Sequence, residues 1–106
     1  MPQLTTHVLD AVTGKPAQGL AIALAAPGDV PLASAVTDSD GRAAIGPERL
    51  EPGDYSLRFE TGDWFAAHRV EAFYPFVTVT FRVTGDRHLH VPILLSPFAY
   101  STYRGS

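Results

Sequence analysis

The sequence predicts an all-β protein, an antiparallel β-sandwich of seven to eight short strands with one short helix. Runs of β-prone residues recur along the whole 106-residue chain, and turn-forming residues separate them. In several runs apolar and polar side chains alternate, with the period of two that marks a strand buried on one face. Short strands at this spacing are typical of two packed sheets.

The first half of the chain contains four predicted strands, at residues 4–10, 20–24, 32–37 and 42–45. Turn-forming residues separate them, at 13–16, 27–29 and 38–41. In the second strand leucine and isoleucine alternate with alanine, which gives the strand one apolar face. The turn before the fourth strand ends in Gly41, a residue that tolerates the positive φ of a tight turn.

The second half contains one predicted helix and further strands, at residues 55–59, 77–83, 88–95 and the C-terminal stretch. Tyr55, Leu57 and Phe59 share one face of their strand, and polar side chains occupy the other. The helix is predicted over residues 63–68, where Asp63 places a negative charge in the first turn.

The composition fits a single globular domain over residues 1–106. The formal net charge is −3 and no basic cluster occurs, so we expect no nucleic-acid partner. No apolar run has the length of a membrane span, and without cysteine there is neither a disulfide nor thiolate chemistry. The chain shows no signal peptide and no Ser-Lys-Leu ending, so we expect a cytoplasmic location.

Parity along the predicted strands places histidines on an outer face. His88 and His90 are two residues apart and therefore project together, opposite a set of aliphatic residues: Leu89, Val91, Ile93 and Leu95. If that aliphatic set fills the core, both histidines face outward. By the same parity His7 points away from Thr6 and Val8.

Pro92 and the C-terminal tail form the second unusual feature. Pro92 has no N–H to donate, so we expect a bulge or an unpaired position there, with open backbone beside His90. Residues 100–106 carry two tyrosines, an arginine and several hydroxyls, whereas chain ends are normally frayed. The tail is therefore predicted to be docked; on the residues alone, an ordinary edge strand is the alternative.

Four segments resemble, in order and in register, motifs of the 5-hydroxyisourate hydrolases, the transthyretin-related enzymes of urate breakdown. They are Leu4-Thr5-Thr6-His7-Val8-Leu9-Asp10, Asp40-Gly41-Arg42, Phe59-Glu60-Thr61-Gly62 with Phe73-Tyr74-Pro75, and the His-x-His-x-Pro strand followed by Tyr103-Arg104-Gly105-Ser106. The resemblance covers essentially the whole chain. It implies a transthyretin-like (prealbumin-like) fold.

The resemblance also implies an activity: hydrolysis of 5-hydroxyisourate, a cyclic amide, to 2-oxo-4-hydroxy-4-carboxy-5-ureidoimidazoline in purine catabolism. The family uses no cofactor and no metal, and its members are homotetramers with active sites in clefts between subunits. For this chain the expected partners are therefore the small-molecule substrate and three further copies of itself. A histidine-bearing outer face suits such a contact.

Matched motif by motif, the resemblance implies catalytic roles for His7, Arg42, His90 and Ser106 and substrate binding by His7, Arg42 and Tyr103. The chemistry fits, because amide opening needs a base with a pKa near neutrality, such as histidine, to activate water. The planar guanidinium matches the flat substrate and stabilises developing negative charge. Either His7 or His90 could activate the water. His88 and His68 are expected to be merely solvated or hydrogen-bonded.

Three other interpretations remain open. A transthyretin-like carrier would bind a small aromatic ligand in a channel between subunits, with a neutral, apolar wall. Residues 37–41 and 51–57 also resemble prealbumin-like structural modules, although that likeness covers only the middle of the chain. Three histidines could in principle hold zinc, but His-x-His alone is a weak signal.

Overall fold

The structure is a computed structural model that describes all 106 residues. It contains nine strands and one helix: β1 (Leu4–Asp10), β2 (Lys15–Pro16), β3 (Ala21–Ala26), β4 (Val30–Val36), β5 (Arg42–Ile45), β6 (Gly53–Phe59), α1 (Thr61–Ala67), β7 (Val77–Val83), β8 (Leu89–Ser96) and β9 (Ala99–Thr102). The all-β fold class with one short helix is confirmed. The additional strand is β2, a two-residue pairing with the end of β1 that lies within the predicted turn at 13–16.

The strands form two sheets. The first has the order β2-β1-β8-β9, with β5 also paired to β1, and the second has the order β4-β3-β6-β7. One pairing departs from the expected antiparallel pattern, because β1 and β8 run parallel. All other strand pairs are antiparallel. The parallel pair joins the two segments that carry the histidines.

The core lies between the sheets and is built from 17 buried hydrophobic residues. Leu57 and Phe59 come from the second sheet, and Val8 and Ile93 from the first; each is fully buried. Burial of side chains of this size stabilises the fold by roughly 1.5–3 kcal/mol each. Because alternate residues of β1 and β8 are committed to this core, the residues between them face outward.

Buried polar groups tie the loops to this framework. The Gln3 side chain donates hydrogen bonds to the carbonyls of Gly85 and Arg87, at 2.8 and 2.9 Å, and accepts one from the N–H of Leu50 at 2.7 Å. The loop that precedes β8 is thereby fixed to the start of β1. Loss of this side chain would leave the buried N–H of Leu50 without a partner, which costs about 1–3 kcal/mol for a buried group.

Pro92 lies within β8 without a bulge, paired in register with His7 of β1. The expected unpaired position is on the other side of the strand. There β9 pairs with β8 only as far as Thr102 opposite Ile93, and β9 ends at this point. The next pair would set Pro92 opposite Tyr103. Because Pro92 has no N–H, it cannot donate a hydrogen bond to Tyr103, and this accounts for the end of β9.

The helix α1 spans Thr61–Ala67, slightly earlier than predicted, with Phe65 buried against the core. Gly62 lies so close to the Pro75 carbonyl that a side chain would not fit. No helix in the structure has the length and the apolar character that a bilayer crossing requires.

Candidate active site

Polar side chains from three strands meet on the outer face of the first sheet, here called the histidine face. β1 runs between β8 and β5, with Thr5 opposite His90 in one row. Two residues further along, His7 lies opposite both Pro92 and Arg42. The predicted outward orientation of His7 and His90 is confirmed, because Thr6, Val8 and Ile93 between them are completely buried.

A pocket of about 440 Å³ opens on the histidine face. Its lining includes Arg42, His90 and Ser106, three of the residues singled out from the sequence, together with Thr5, Asp38 and His88. Only three of its ten lining residues are hydrophobic. His7 stands in the neighbouring row, next to Arg42 rather than in the lining itself.

Tyr103 is placed elsewhere. It lines a second pocket, of about 240 Å³, that lies on the other side of His90 and is walled by Val79, Phe81 and Leu89 among others. The Tyr103 side chain is 59% exposed and makes no hydrogen bond within the chain. Within one chain, the sequence-predicted residues are therefore not gathered in one pocket: His90 lines both pockets, and His7 lines neither.

The hydroxyl of Thr5 joins two histidines. Its Oγ1 lies 2.8 Å from Nδ1 of His90 and 2.9 Å from Nε2 of His88. The two imidazole rings are stacked, with centroids 6.4 Å apart and planes inclined by 20°. His88 is thus hydrogen-bonded, as expected, but it lies within the site.

His7 is oriented by a backbone carbonyl. Its Nε2 lies 2.9 Å from the oxygen of Asp40. Because a carbonyl only accepts, Nε2 of His7 carries a proton and donates it to this bond. In the neutral ring, Nδ1 then holds the lone pair.

The hairpin before β5 presents Arg42. The Asp38 carboxylate accepts hydrogen bonds from the N–H groups of Asp40 and Arg42, at 2.8 and 3.0 Å. Gly41 has a φ of +73° and its carbonyl accepts from Val8, so no residue with a side chain fits this turn. The guanidinium of Arg42 is exposed and takes part in none of the three ion pairs of the chain. It is therefore a cation available to an added ligand.

The surroundings of His90 perturb its protonation. Burial lowers the pKa of His90 below its ordinary value, and the positive charge of Arg42, with smaller contributions from His88 and His7, lowers it further. A histidine with a lowered pKa is neutral at pH 7 and can take up a proton. His68 directly follows α1 and lies outside this site, with its Nδ1 2.7 Å from the carbonyl of Trp64.

The tail is docked against His90. The N–H of Gly105 donates a 2.8 Å hydrogen bond to the His90 carbonyl, and the Thr102 hydroxyl donates one of 2.8 Å to the Pro92 carbonyl. These bonds bring Ser106 to the rim of the first pocket. Residues 99–102 thus form the exposed edge strand of the first sheet, the alternative left open from the residues alone, and beyond them the tail is tied to β8 through Gly105.

Sequence reasoning missed two members of this arrangement, Thr5 and the site position of His88. The alternation of side chains along β1 could have identified Thr5, because Thr5 is two residues from His7 and shares its outer face. What parity could not supply was the register that sets Thr5 beside His90. No group of three or more histidine, cysteine, aspartate or glutamate side chains is arranged to hold a metal ion.

Comparison with known proteins gives concordant matches. A family model described as the HIUase/Transthyretin family matches residues 4–105. The 5-hydroxyisourate hydrolase of Mus musculus is 44% identical over 111 residues, which cover 97% of this chain and 94% of the mouse protein.

Solved structures agree in fold. Klebsiella pneumoniae 5-hydroxyisourate hydrolase superposes with a TM-score of 0.89 at 40% identity, covering 97% of this chain and 92% of that one. Sea bream transthyretin in complex with thyroxine superposes with a TM-score of 0.88 at 29% identity, covering 97% and 94%. The transthyretin-like fold is thereby confirmed, and the contents of the site must distinguish hydrolase from carrier.

Proposed function

The chain belongs to the HIUase/transthyretin family, and we propose that it hydrolyses 5-hydroxyisourate in urate catabolism. One observation carries this choice within the family: His7, Arg42 and His90 share one face of one sheet beside a polar pocket. Relatives that align over 97% and 99% of this chain include 5-hydroxyisourate hydrolases. The product is 2-oxo-4-hydroxy-4-carboxy-5-ureidoimidazoline.

In the proposed mechanism His90 activates the water. Its lowered pKa leaves it neutral, and Thr5 engages Nδ1, so that Nε2 is the ring nitrogen without a partner in the chain. The water oxygen bonds to the carbonyl carbon of the ring amide while its proton passes to His90. General base catalysis of this kind contributes on the order of 10²–10⁴-fold.

Arg42 stabilises the negative charge that develops on the carbonyl oxygen. Its guanidinium is not neutralised within the chain, and it stands in the row next to His90. A preorganised donor of this kind typically contributes on the order of 10²–10³-fold. The carbon–nitrogen bond of the amide then breaks, the nitrogen takes up a proton, and a carboxylate and a ureido group remain. No covalent enzyme intermediate is required.

The remaining proposed roles concern substrate binding. His7, held by the Asp40 carbonyl, directs its ring beside Arg42 and contacts the substrate. Ser106, at the rim of the pocket, binds the substrate or the water as part of the catalytic group. Tyr103 contacts the substrate from the side of the second pocket that shares His90.

We also propose a homotetramer with the active sites in clefts where subunit faces meet. The support is that the pocket is polar and open to solvent, so that a second subunit could enclose it.

We further propose a cytoplasmic location, because a chain without cysteine needs no oxidising compartment. Cell fractionation of the source organism tests the location.

The carrier alternative is not supported by the site. A pocket for an apolar aromatic ligand is expected to be mainly hydrophobic. Here seven of the ten lining residues are not hydrophobic, and they include an unpaired arginine and two histidines. Such a wall favours proton transfer over passive binding of an apolar ligand.

The test follows the ultraviolet decay of 5-hydroxyisourate generated freshly from urate. The protein is expected to accelerate the decay, and His7→Ala, Arg42→Ala and His90→Ala are each expected to abolish most of the acceleration. His68→Ala is the matched control and retains full activity. The activity is expected to survive exhaustive treatment with a chelator. Equal decay with and without protein would contradict the proposal.

A further inference from the structure

The Thr5 hydroxyl has a single proton and lies within hydrogen-bond distance of two ring nitrogens, Nδ1 of His90 and Nε2 of His88. A hydroxyl donates one hydrogen bond and accepts others. When both rings are neutral, Thr5 either donates to one histidine and accepts from the other, or accepts from both and donates its own proton outside the pair. The tautomers of the two histidines are linked through it.

Three arrangements satisfy both bonds. In the first, Nδ1–H of His90 donates to Thr5, and the Thr5 hydroxyl donates to Nε2 of His88. The lone pair of His90 is then on Nε2. In the second, every bond is reversed, and Nε2 of His90 carries the proton. In the third, both rings donate to Thr5. The first and third arrangements leave His90 able to accept a proton through Nε2, the nitrogen without a partner in the chain, and the second does not.

We propose that Thr5 and His88 are positioning residues, which together hold His90 in the tautomer with a free lone pair on Nε2. The inference rests on the proposed function, in which His90 is the base. Thr5 is half-buried between two strands, and its partner His88 is fixed by the loop that Gln3 anchors. The hydrogen-bond chain is therefore built into the sheet.

The chain also gives a reason for the His-x-His spacing. Two residues along one strand bring both rings to the same face, stacked at 6.4 Å, and within reach of one hydroxyl on the neighbouring strand. A single histidine opposite Thr5 would leave the hydroxyl free to donate to Nδ1 of His90. The second histidine supplies an acceptor that draws the hydroxyl proton away from His90.

The test uses three variants of the whole chain. Thr5→Val keeps the β-branched shape and removes the hydroxyl, Thr5→Ser retains the hydroxyl, and His88→Phe keeps a stacked ring without an acceptor. Thr78→Val, an exposed threonine on the other sheet, is the control. Nitrogen-15 NMR at pH 8 reports the tautomer of His90 without any substrate, and steady-state kinetics report kcat and KM.

Wild type, Thr5→Ser and Thr78→Val are expected to show His90 protonated at Nδ1. Thr5→Val and His88→Phe are expected to show a mixture of tautomers, with kcat lower by about fivefold, the factor that corresponds to loss of about one hydrogen bond, and KM little changed. An unaltered Nδ1–H signal in Thr5→Val or in His88→Phe would overturn the inference. If the wild type fails to hydrolyse 5-hydroxyisourate, the proposed function fails instead, and the NMR result still decides the linkage.

Discussion

Gly105 and His90 are joined backbone to backbone, with the N–H of Gly105 donating to the His90 carbonyl over 2.8 Å. A Cβ atom built at Gly105 would lie 2.5 Å from Cδ2 of the imidazole and 3.1 Å from Cγ. Carbon atoms do not approach so closely without displacement of one partner. The tail therefore serves as one wall of the His90 ring, and only glycine fits there.

Gly105→Ala is expected to displace the His90 ring and lower kcat/KM by about 10²-fold, since a shift on the order of 1 Å in a catalytic group costs this much. Gly85→Ala is the control, because a methyl group there meets no atom within 4 Å. Full activity of Gly105→Ala, with both variants equally stable to denaturant, would contradict the packing described here.

Arg42→Gln is expected to raise the pKa of His90 toward the ordinary value. Burial, the larger cause of the lowered pKa, remains in the variant, so only part of the shift is lost. With the pKa raised, His90 takes up its proton at a higher pH than in the wild type. Titration of the His90 imidazole by proton NMR measures this, and Arg42→Lys, which keeps the charge, is the matched control. The same titration curve for all three proteins would contradict the electrostatic coupling.

Thr37→Val is expected to destabilise the fold by about 2 kcal/mol, because it leaves two buried backbone groups without partners. The Thr37 hydroxyl accepts from the N–H of Leu20 at 2.9 Å and donates to the carbonyl of Ala17 at 2.6 Å. Urea denaturation followed by circular dichroism measures the change. Thr78→Val, on an exposed strand position, is expected to stay within about 0.5 kcal/mol of wild type.

The assembled protein is expected to have four times the 11.4 kDa mass of the chain. Because the proposed sites lie in clefts between subunits, dilution below the dissociation constant of the assembly should lower the specific activity. Light scattering after size-exclusion chromatography gives the mass, and a dilution series of the assay gives the dependence. A monomer with full specific activity would refute the assembly.

Much of the fold could be predicted from local pattern. The period-two alternation predicted β7 with its observed bounds, and β-prone runs between turns predicted β1 and β5 with theirs. Parity placed His7 and His90 on the outer face, because side chains alternate in direction along a strand. The choice of partner strand is not a local property. The parallel pairing of β1 with β8, and with it the position of Thr5 beside His90, was therefore missed.

The site residues divide in the same way. Arg42 follows a turn whose glycine is required locally, so its presentation could be predicted from the sequence. Tyr103 could not be placed, because its position depends on where β9 ends, and this is set by the missing N–H of Pro92 on the adjacent strand. A single chain leaves Tyr103 and Ser106 in different pockets.

The parallel pairing of β1 with β8 also governs how the protein acquires its activity. Thr5 and His90 touch across a separation of 85 residues, so no short fragment of the chain contains this pair. Topologies dominated by such distant pairings fold slowly, because the entropy of closing a large loop is lost before the contacts that compensate for it can form. Recovery of catalysis after dilution from denaturant therefore reports the most non-local step of folding, on a timescale of roughly milliseconds to seconds.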